Sequence, residues 1–170
     1  VYMVTPDKDY CQLVSEKVFM YRPKHSGGYE LMGMDEVKNK YELNSHNQVI
    51  DLLGLMGDSS DNIPGCPGVG EKTAVKLLQE FGSIENLINN TDQLKGALKT
   101  KIEENIEIIK FSRFLATIKT DVPVELKEDD LVLTPPDETK LRILYEDLEF
   151  RTFLNKLNGS TDKPSPTTKK

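Results

Sequence analysis

Apolar and polar positions fall into blocks along this chain, and the period of the blocks changes from strand-like to helical near residue 35. Residues 1–5 (VYMVT) are a short β-rich run closed by Pro6, which predicts a strand buried on both faces. Residues 17–21 and 29–32, separated by a turn over 23–28, predict a hairpin or a pair of edge strands. Helical spacing then takes over at 35–42, at 47–56 (NQVIDLLGLM), and at 71–81, where Gly82 stops it. It resumes at 83–89, with Ser83 as N-cap, and at 95–114. In that last segment Leu98, Ile102, Ile106, Ile109 and Arg113 share one face, mostly apolar, which predicts core. A strand is expected over 116–119 and an amphipathic helix over 140–148. The ordered fold is expected to end near Leu157, with residues 158–170 a flexible linker, since GSTDKPSPTTKK holds no apolar residue. The fold class is therefore α/β, mostly helical. A buried parallel strand at residue 1 needs neighbours that the later sequence does not supply, so the sheet is expected to be truncated at its start.

Composition narrows this picture. At 170 residues the chain suits one ordinary domain, and no apolar run approaches the roughly 18 residues of a membrane span. The opening residues have neither the basic start nor the apolar middle of a signal peptide, so a cytoplasmic location is expected. Cys11 and Cys66 lack metal-ligand spacing and are expected as reduced thiols; His25 and His46 form no zinc pattern. The formal charge of -6 is uneven. Residues 121–149 hold ten acids against three bases, which leaves the remainder near neutral. Electrostatic footprints are local, so the acidity neither excludes nor favours a polyanionic partner.

Two acidic pairs are candidates for chemistry. Asp7 and Asp9 lie just past the first strand, and Asp58 and Asp61 precede a glycine-rich turn. Carboxylates converging in this way suit hard divalent cations such as Mg²⁺ or Mn²⁺, which can activate water and neutralise phosphodiester charge. The alternative is structural: Asp7 and Asp58 cap helices while Asp9 and Asp61 face solvent. The turn itself, GCPGVGEKTA, runs into a helix whose first amides and dipole make an anion site, with Lys72 and Thr73 beside it. A Walker A loop would need glycine directly before lysine, and here Glu71 intervenes. A helix-hairpin-helix grip on a nucleic-acid backbone fits better, and a plain helix-helix connection is the bland reading.

Two stretches carry a family likeness. TPDKDYCQLV (5–14) and GDSSDNIPGCPGVGEKTAVKLLQEFGSIENL (57–87) resemble the later part of the 5′-3′ exonuclease domain of bacterial DNA polymerase I, within the flap endonuclease superfamily. The resemblance covers about residues 1–157, and LEF at 148–150 before a polar stretch resembles the approach to the rest of that polymerase. It implies a remnant of a parallel-sheet nuclease core over 1–56, an acidic loop plus helix-hairpin-helix type region over 57–157, and the linker beyond. It implies that Asp7, Asp9, Asp58 and Asp61 hold the divalent ions, and that Gly68, Val69, Gly70, Glu71, Lys72, Thr73 and Ala74 form the DNA-gripping turn, with K⁺ on backbone carbonyls. The implied chemistry is metal-dependent hydrolysis of DNA near a 5′ flap or nick, in replication and repair. The implied partners are duplex DNA and the remainder of a polymerase chain.

Two departures matter. Pro6 stands where many relatives have glycine, and the family's first half, with further carboxylates and a basic arch, has no counterpart here. Weak metal binding and little hydrolysis are therefore expected of this chain alone. The rival reading is a sequence-independent duplex-binding module with structural acids.

Overall fold

The computed structural model describes residues 1–24 and 26–159, so His25 and the linker residues 160–170 lie outside the description. The described residues fold as two compact units, one over residues 1–122 and one beginning at residue 123. The architecture is mostly helical with one small mixed sheet, as expected.

In the first unit the sheet has three strands in the order β1 (Tyr2–Met3), β2 (Phe19–Pro23) and β3 (Tyr29–Met32). β1 runs parallel to β2, pairing Tyr2 with Phe19 and Met3 with Met20. β2 and β3 form the expected antiparallel hairpin, in the register Met20 to Met32 and Arg22 to Glu30. β1 corrects an expectation. It is two residues long and Tyr2 is 65% exposed, because it is an edge strand paired on one side and not a strand buried on both faces. Between β1 and β2 the chain makes a 3-10 helix, Lys8–Leu13, which packs against α2 (Gln48–Met56). Its single buried residue is Cys11.

α1 (Met34–Tyr41) opens with the Gly33 amide donating to Glu36 Oε2 at 2.8 Å, a local reason for its start. α2 is the hub of the core. Leu52, Leu53 and Leu55 are essentially fully buried, and α2 packs on α3 (Glu71–Phe81) and on α6 (Ile106–Ala116). Gln48 ties this layer together. Its Oε1 accepts from the amides of Asn44 and Ser45, and its Nε2 donates to the carbonyls of Leu78 and Gly82 at the end of α3. α4 (Ile84–Asn89) begins at Ser83, whose side chain accepts from the Asn86 amide at 3.2 Å, the expected cap.

The helix expected over 95–114 is two helices, α5 (Gly96–Glu104) and α6, separated at Asn105. The Asn105 side chain donates to the Lys101 carbonyl at 2.7 Å and its backbone sits at ψ 17°, so local amide bonding outcompetes helix continuation. The apolar stripe still reaches the core through Ile102 and Ile109, both fully buried. The strand expected at 116–119 is absent. α6 runs through Ala116, and Gln12 takes the groups a sheet would use, donating to the Ala116 carbonyl and accepting from the Ile118 amide.

In the second unit α7 (Glu138–Asp147), capped by Asp137, covers the expected helix. α8 (Arg151–Gly159) follows and includes Asn158 and Gly159, which the sequence pattern assigns to the linker. Tyr145, Phe150 and Phe153 form a ring cluster between these two helices, with centroids 5.4 to 6.3 Å apart.

Candidate active site

α2 ends at Gly57, and the next six residues fold into a closed loop: the Asp58 amide donates to the Ile63 carbonyl at 2.9 Å and the Ile63 amide returns the bond at 2.8 Å. The chain then turns back on α2. The Cys66 amide donates to the Leu55 carbonyl at 2.7 Å, and the Gly65 amide donates to Ser112 Oγ of α6 at 3.0 Å. Gly65 has φ +63°, and a Cβ there would overlap the Gly57 nitrogen. Only glycine permits this approach of backbone to backbone. The consequence is a loop anchored at both ends that aims Asp58 toward the start of the fold.

Because the Lys8–Leu13 turn packs on α2, Asp9 arrives at the same place. One carboxylate oxygen each from Asp9, Asp58 and Asp61 lie within 4.8 Å of one another. Asp58 is buried, Asp9 half-buried and Asp61 exposed. Asp7 serves a different purpose. Its Oδ1 accepts from the Asp9 amide at 3.0 Å and caps the 3-10 helix, and it is not in the cluster. Of the four acids singled out in the sequence, three converge and one caps.

Lys8, which the sequence places beside Asp7 and Asp9 at the end of the first strand without a role of its own, joins the acids. Its Nζ is hydrogen-bonded to Asp58 Oδ2 and lies 3.9 Å from Asp9 Oδ1. Asp58 Oδ1 accepts from the Ser60 amide at 2.9 Å and hydroxyl at 2.5 Å. Burial alone would raise the Asp58 carboxyl, but the Lys8 ammonium and the Ser60 donors outweigh it and hold it below the ordinary range. Asp9 goes the other way: burial, with the nearby Asp7 charge, raises it. Burial would depress the Lys8 ammonium, yet its bond to Asp58 and the surrounding carboxylates raise it above its usual value.

The cluster fits a hard divalent ion. Its donors are all carboxylate oxygens, and Asp9 Oδ1 is buried without a hydrogen-bond partner among the described residues. Such an orphan oxygen is unfavourable unless a cation or water satisfies it.

On the far side of the loop, the residues singled out for a backbone grip open α3. Gly70 is its N-cap in extended conformation, and its carbonyl accepts from the Thr73 and Ala74 amides. Val69 and Ala74 are buried, Thr73 is half-buried, while Gly68, Gly70, Glu71 and Lys72 are exposed. Lys101 of α5, also unanticipated, reaches this turn: its Nζ lies 2.6 Å from where a Gly68 Cβ would stand. Beside the turn a groove of about 430 Å³ is lined by three lysines, Lys40, Lys72 and Lys76, and two acids, Glu42 and Glu71, together with Tyr41, Val75 and Gln79.

Cys11 and Cys66 are buried free thiols, as expected, and burial raises both. His46 is half-buried and stands outside the acidic cluster. Among the described residues, no helix is long and apolar enough to cross a membrane.

Residues 44–139 match the family described as 5′-3′ exonuclease, C-terminal SAM fold. The chain is similar to DNA polymerase I of Bacillus caldotenax, 41% identical over 99% of this chain and 20% of that protein. It is similar to DNA polymerase I of Bacillus subtilis, 43% identical over 89% of this chain and 17% of that protein. The chain thus spans about a fifth of the length of the curated relatives it matches. Among solved structures, the fold is similar to the bacteriophage T5 5′-exonuclease with bound zinc, at TM-score 0.61 and 22% identity over 68% of this chain and 42% of that one. It is also similar to the catalytic core of Rad2 in complex with DNA, at TM-score 0.53 and 18% identity over 85% of this chain and 50% of that one.

Proposed function

Since the chain belongs to the 5′-3′ exonuclease family, we propose that it supplies the divalent-metal cluster and duplex grip of a structure-selective 5′-nuclease acting near 5′ ends or flaps in replication and repair. The observation that carries this reading is continuity. Residues 57–70 lead directly from the converged acids to the turn that opens α3, so gripped duplex and acidic cluster stand at a fixed separation.

Asp9, Asp58 and Asp61 would hold Mg²⁺ or Mn²⁺; Asp7 sets the turn that presents Asp9. A divalent ion bound there activates water and neutralises charge on the phosphodiester. The residues of this chain do the positioning. Ser60 fixes one oxygen of Asp58, and Ser112 holds the loop that carries Asp58. Gly68, Val69, Gly70, Glu71, Lys72, Thr73 and Ala74 form the turn that meets the duplex, through the first amides of α3 and the Lys72 and Lys101 ammonium groups. K⁺ would rest on backbone carbonyls of the same turn. The division of labour is an α/β part over 1–56 and a loop-and-hairpin part over 57–157, with residues 158–170 leading to the remainder of a polymerase chain. The partner is duplex DNA bearing a 5′ flap or nick, in a bacterial cytoplasm at the nucleoid.

Three carboxylates, one of them already paired with Lys8, hold a hard ion loosely. Flap hydrolysis by the chain alone is accordingly expected near background, and the deciding test is binding. Mn²⁺ titration followed by electron paramagnetic resonance is expected to reveal a site that Asp58→Ala abolishes. Specific observations favour a second reading, a duplex-binding module with structural acids: the Lys8–Asp58 ion pair and the Asp7 cap. Under it Mn²⁺ binding is absent in both proteins while duplex binding persists, and that result refutes the metal assignment.

A further inference from the structure

Lys8 is the member of the acidic site whose charge has the sign of a metal ion and not of a ligand. Its ammonium is bonded to Asp58, stands 3.9 Å from the orphaned Oδ1 of Asp9, and belongs to a side chain one-third exposed. It thus touches two of the three carboxylates whose oxygens lie within 4.8 Å of one another. Resting on the metal-site reading above, we propose that Lys8 is a displaceable internal counter-ion, which neutralises the Asp9 and Asp58 carboxylates until a divalent ion enters and then gives up Asp58.

The argument is electrostatic and steric together. Without a cation, buried and half-buried carboxylates this close repel one another and lose hydration, so a positive charge among them stabilises the loop. An ammonium serves that purpose but contributes no electron pair to a metal. When a doubly charged ion occupies the same oxygens, its repulsion of the ammonium at about 4 Å is modest in bulk water but several-fold larger at a partly buried site such as this one, and withdrawal of one cation is favoured. The lysine is the one that can, because its partly exposed four-carbon stem reaches solvent by rotamer change without moving backbone. Lys8 and Asp58 are 50 residues apart, so the pair also pins the Lys8–Leu13 turn to the loop while no metal is present. Fold stability and metal affinity are therefore opposed at this residue: Lys8 supports the metal-free site and weakens the metal-bound one.

The test uses the full chain and its Lys8→Met variant, which keeps an unbranched stem of nearly the same length and removes the charge. Mn²⁺ titration is expected to give about tenfold tighter binding in Lys8→Met, the scale of removing one unit charge near a divalent ion in a solvated site. In the metal-free state the variant is expected to melt earlier than the parent, and to gain more melting temperature from saturating Mg²⁺. A second measurement needs no variant. The ¹⁵N-lysine side-chain signal of Lys8 in the parent chain is expected to be protected from exchange without metal and to become solvent-like on adding Mg²⁺. Equal or weaker Mn²⁺ binding in Lys8→Met, or a Lys8 signal unmoved at saturating Mg²⁺, overturns the displacement while leaving the metal site standing. Absence of Mn²⁺ binding in both proteins overturns the metal site and the displacement together.

Discussion

Gly65→Ala is the substitution that most directly separates backbone crowding from backbone conformation. A Cβ at Gly65 would overlap the Gly57 nitrogen and stand 2.6 Å from the Met56 carbonyl carbon and 2.7 Å from the Gly57 Cα, all main-chain atoms. Neither side can yield easily. The α2 end is held by the Gly57 amide on the Leu53 carbonyl at 2.8 Å, and the Gly65 amide is held by buried Ser112 Oγ at 3.0 Å. The φ of +63° alone destabilises alanine by about 1 kcal/mol. Forcing the two segments apart adds about 1–3 kcal/mol of overpacking, and the loss of one buried hydrogen bond about 1 kcal/mol more. The total is about 3–5 kcal/mol. Gly82→Ala is the control: its φ is +79° with no atom within 4 Å of the new Cβ, so about 1 kcal/mol is expected. Urea unfolding followed by far-ultraviolet circular dichroism reads the difference as a midpoint lower by about 1 M or more for Gly65→Ala. A Gly65→Ala chain unfolded in buffer is the extreme form of the expected result. If the two variants share a midpoint, the reading that close approach of Gly65 to the end of α2 shapes the acidic loop is wrong.

Three further outcomes are expected. Lys72→Ala and Lys101→Ala should each weaken duplex DNA binding without regard to sequence and reduce the slope of log affinity against log salt by about one; a slope unchanged in both would remove them from the interface. Gln48→Ala removes four hydrogen bonds to backbone groups at the α2–α3 junction, of which the Leu78 carbonyl alone keeps another, from the Gly82 amide, and should lower unfolding free energy by about 2–3 kcal/mol in the same urea assay; a change below about 0.5 kcal/mol would contradict the network. Cys11 and Cys66 should resist a thiol reagent in the native chain and react on unfolding. Since burial raises both folded-state values above the unfolded ones, their contribution to stability is complete below the unfolded thiol pKa and declines as pH rises through the folded one. Rapid native labelling near pH 8 would contradict this.

Most helices are legible in the sequence because their signals are local. Ser83 caps α4, Gly82 ends α3, and the apolar spacing of 47–56 and 71–81 matches α2 and α3. The division of 95–114 into two helices is hidden because the apolar stripe is continuous across a break that depends on one side-chain amide, that of Asn105. The strand expected at 116–119 fails for a longer-range reason, the capture of its backbone groups by Gln12. The buried strand expected over 1–5 fails because apolar composition reports suitability for burial and not the presence of a covering layer.

The site divides along the same line. Which residue types can hold a hard cation, and where a helix opens after a glycine-rich turn, are readable from the chain alone, because carboxylate chemistry and turn conformation are properties of a few neighbouring residues. That Asp7 caps while Asp9 joins Asp58 and Asp61 is settled in three dimensions. So is the placing of Lys8 on Asp58 across 50 residues, of Ser112 under Gly65 across 47, and of Lys101 over Gly68. The first two pairings arise from packing α2 against the Lys8–Leu13 turn and α6, the third from α5 reaching the turn before α3, and no local pattern encodes the distance between segments that the core brings together.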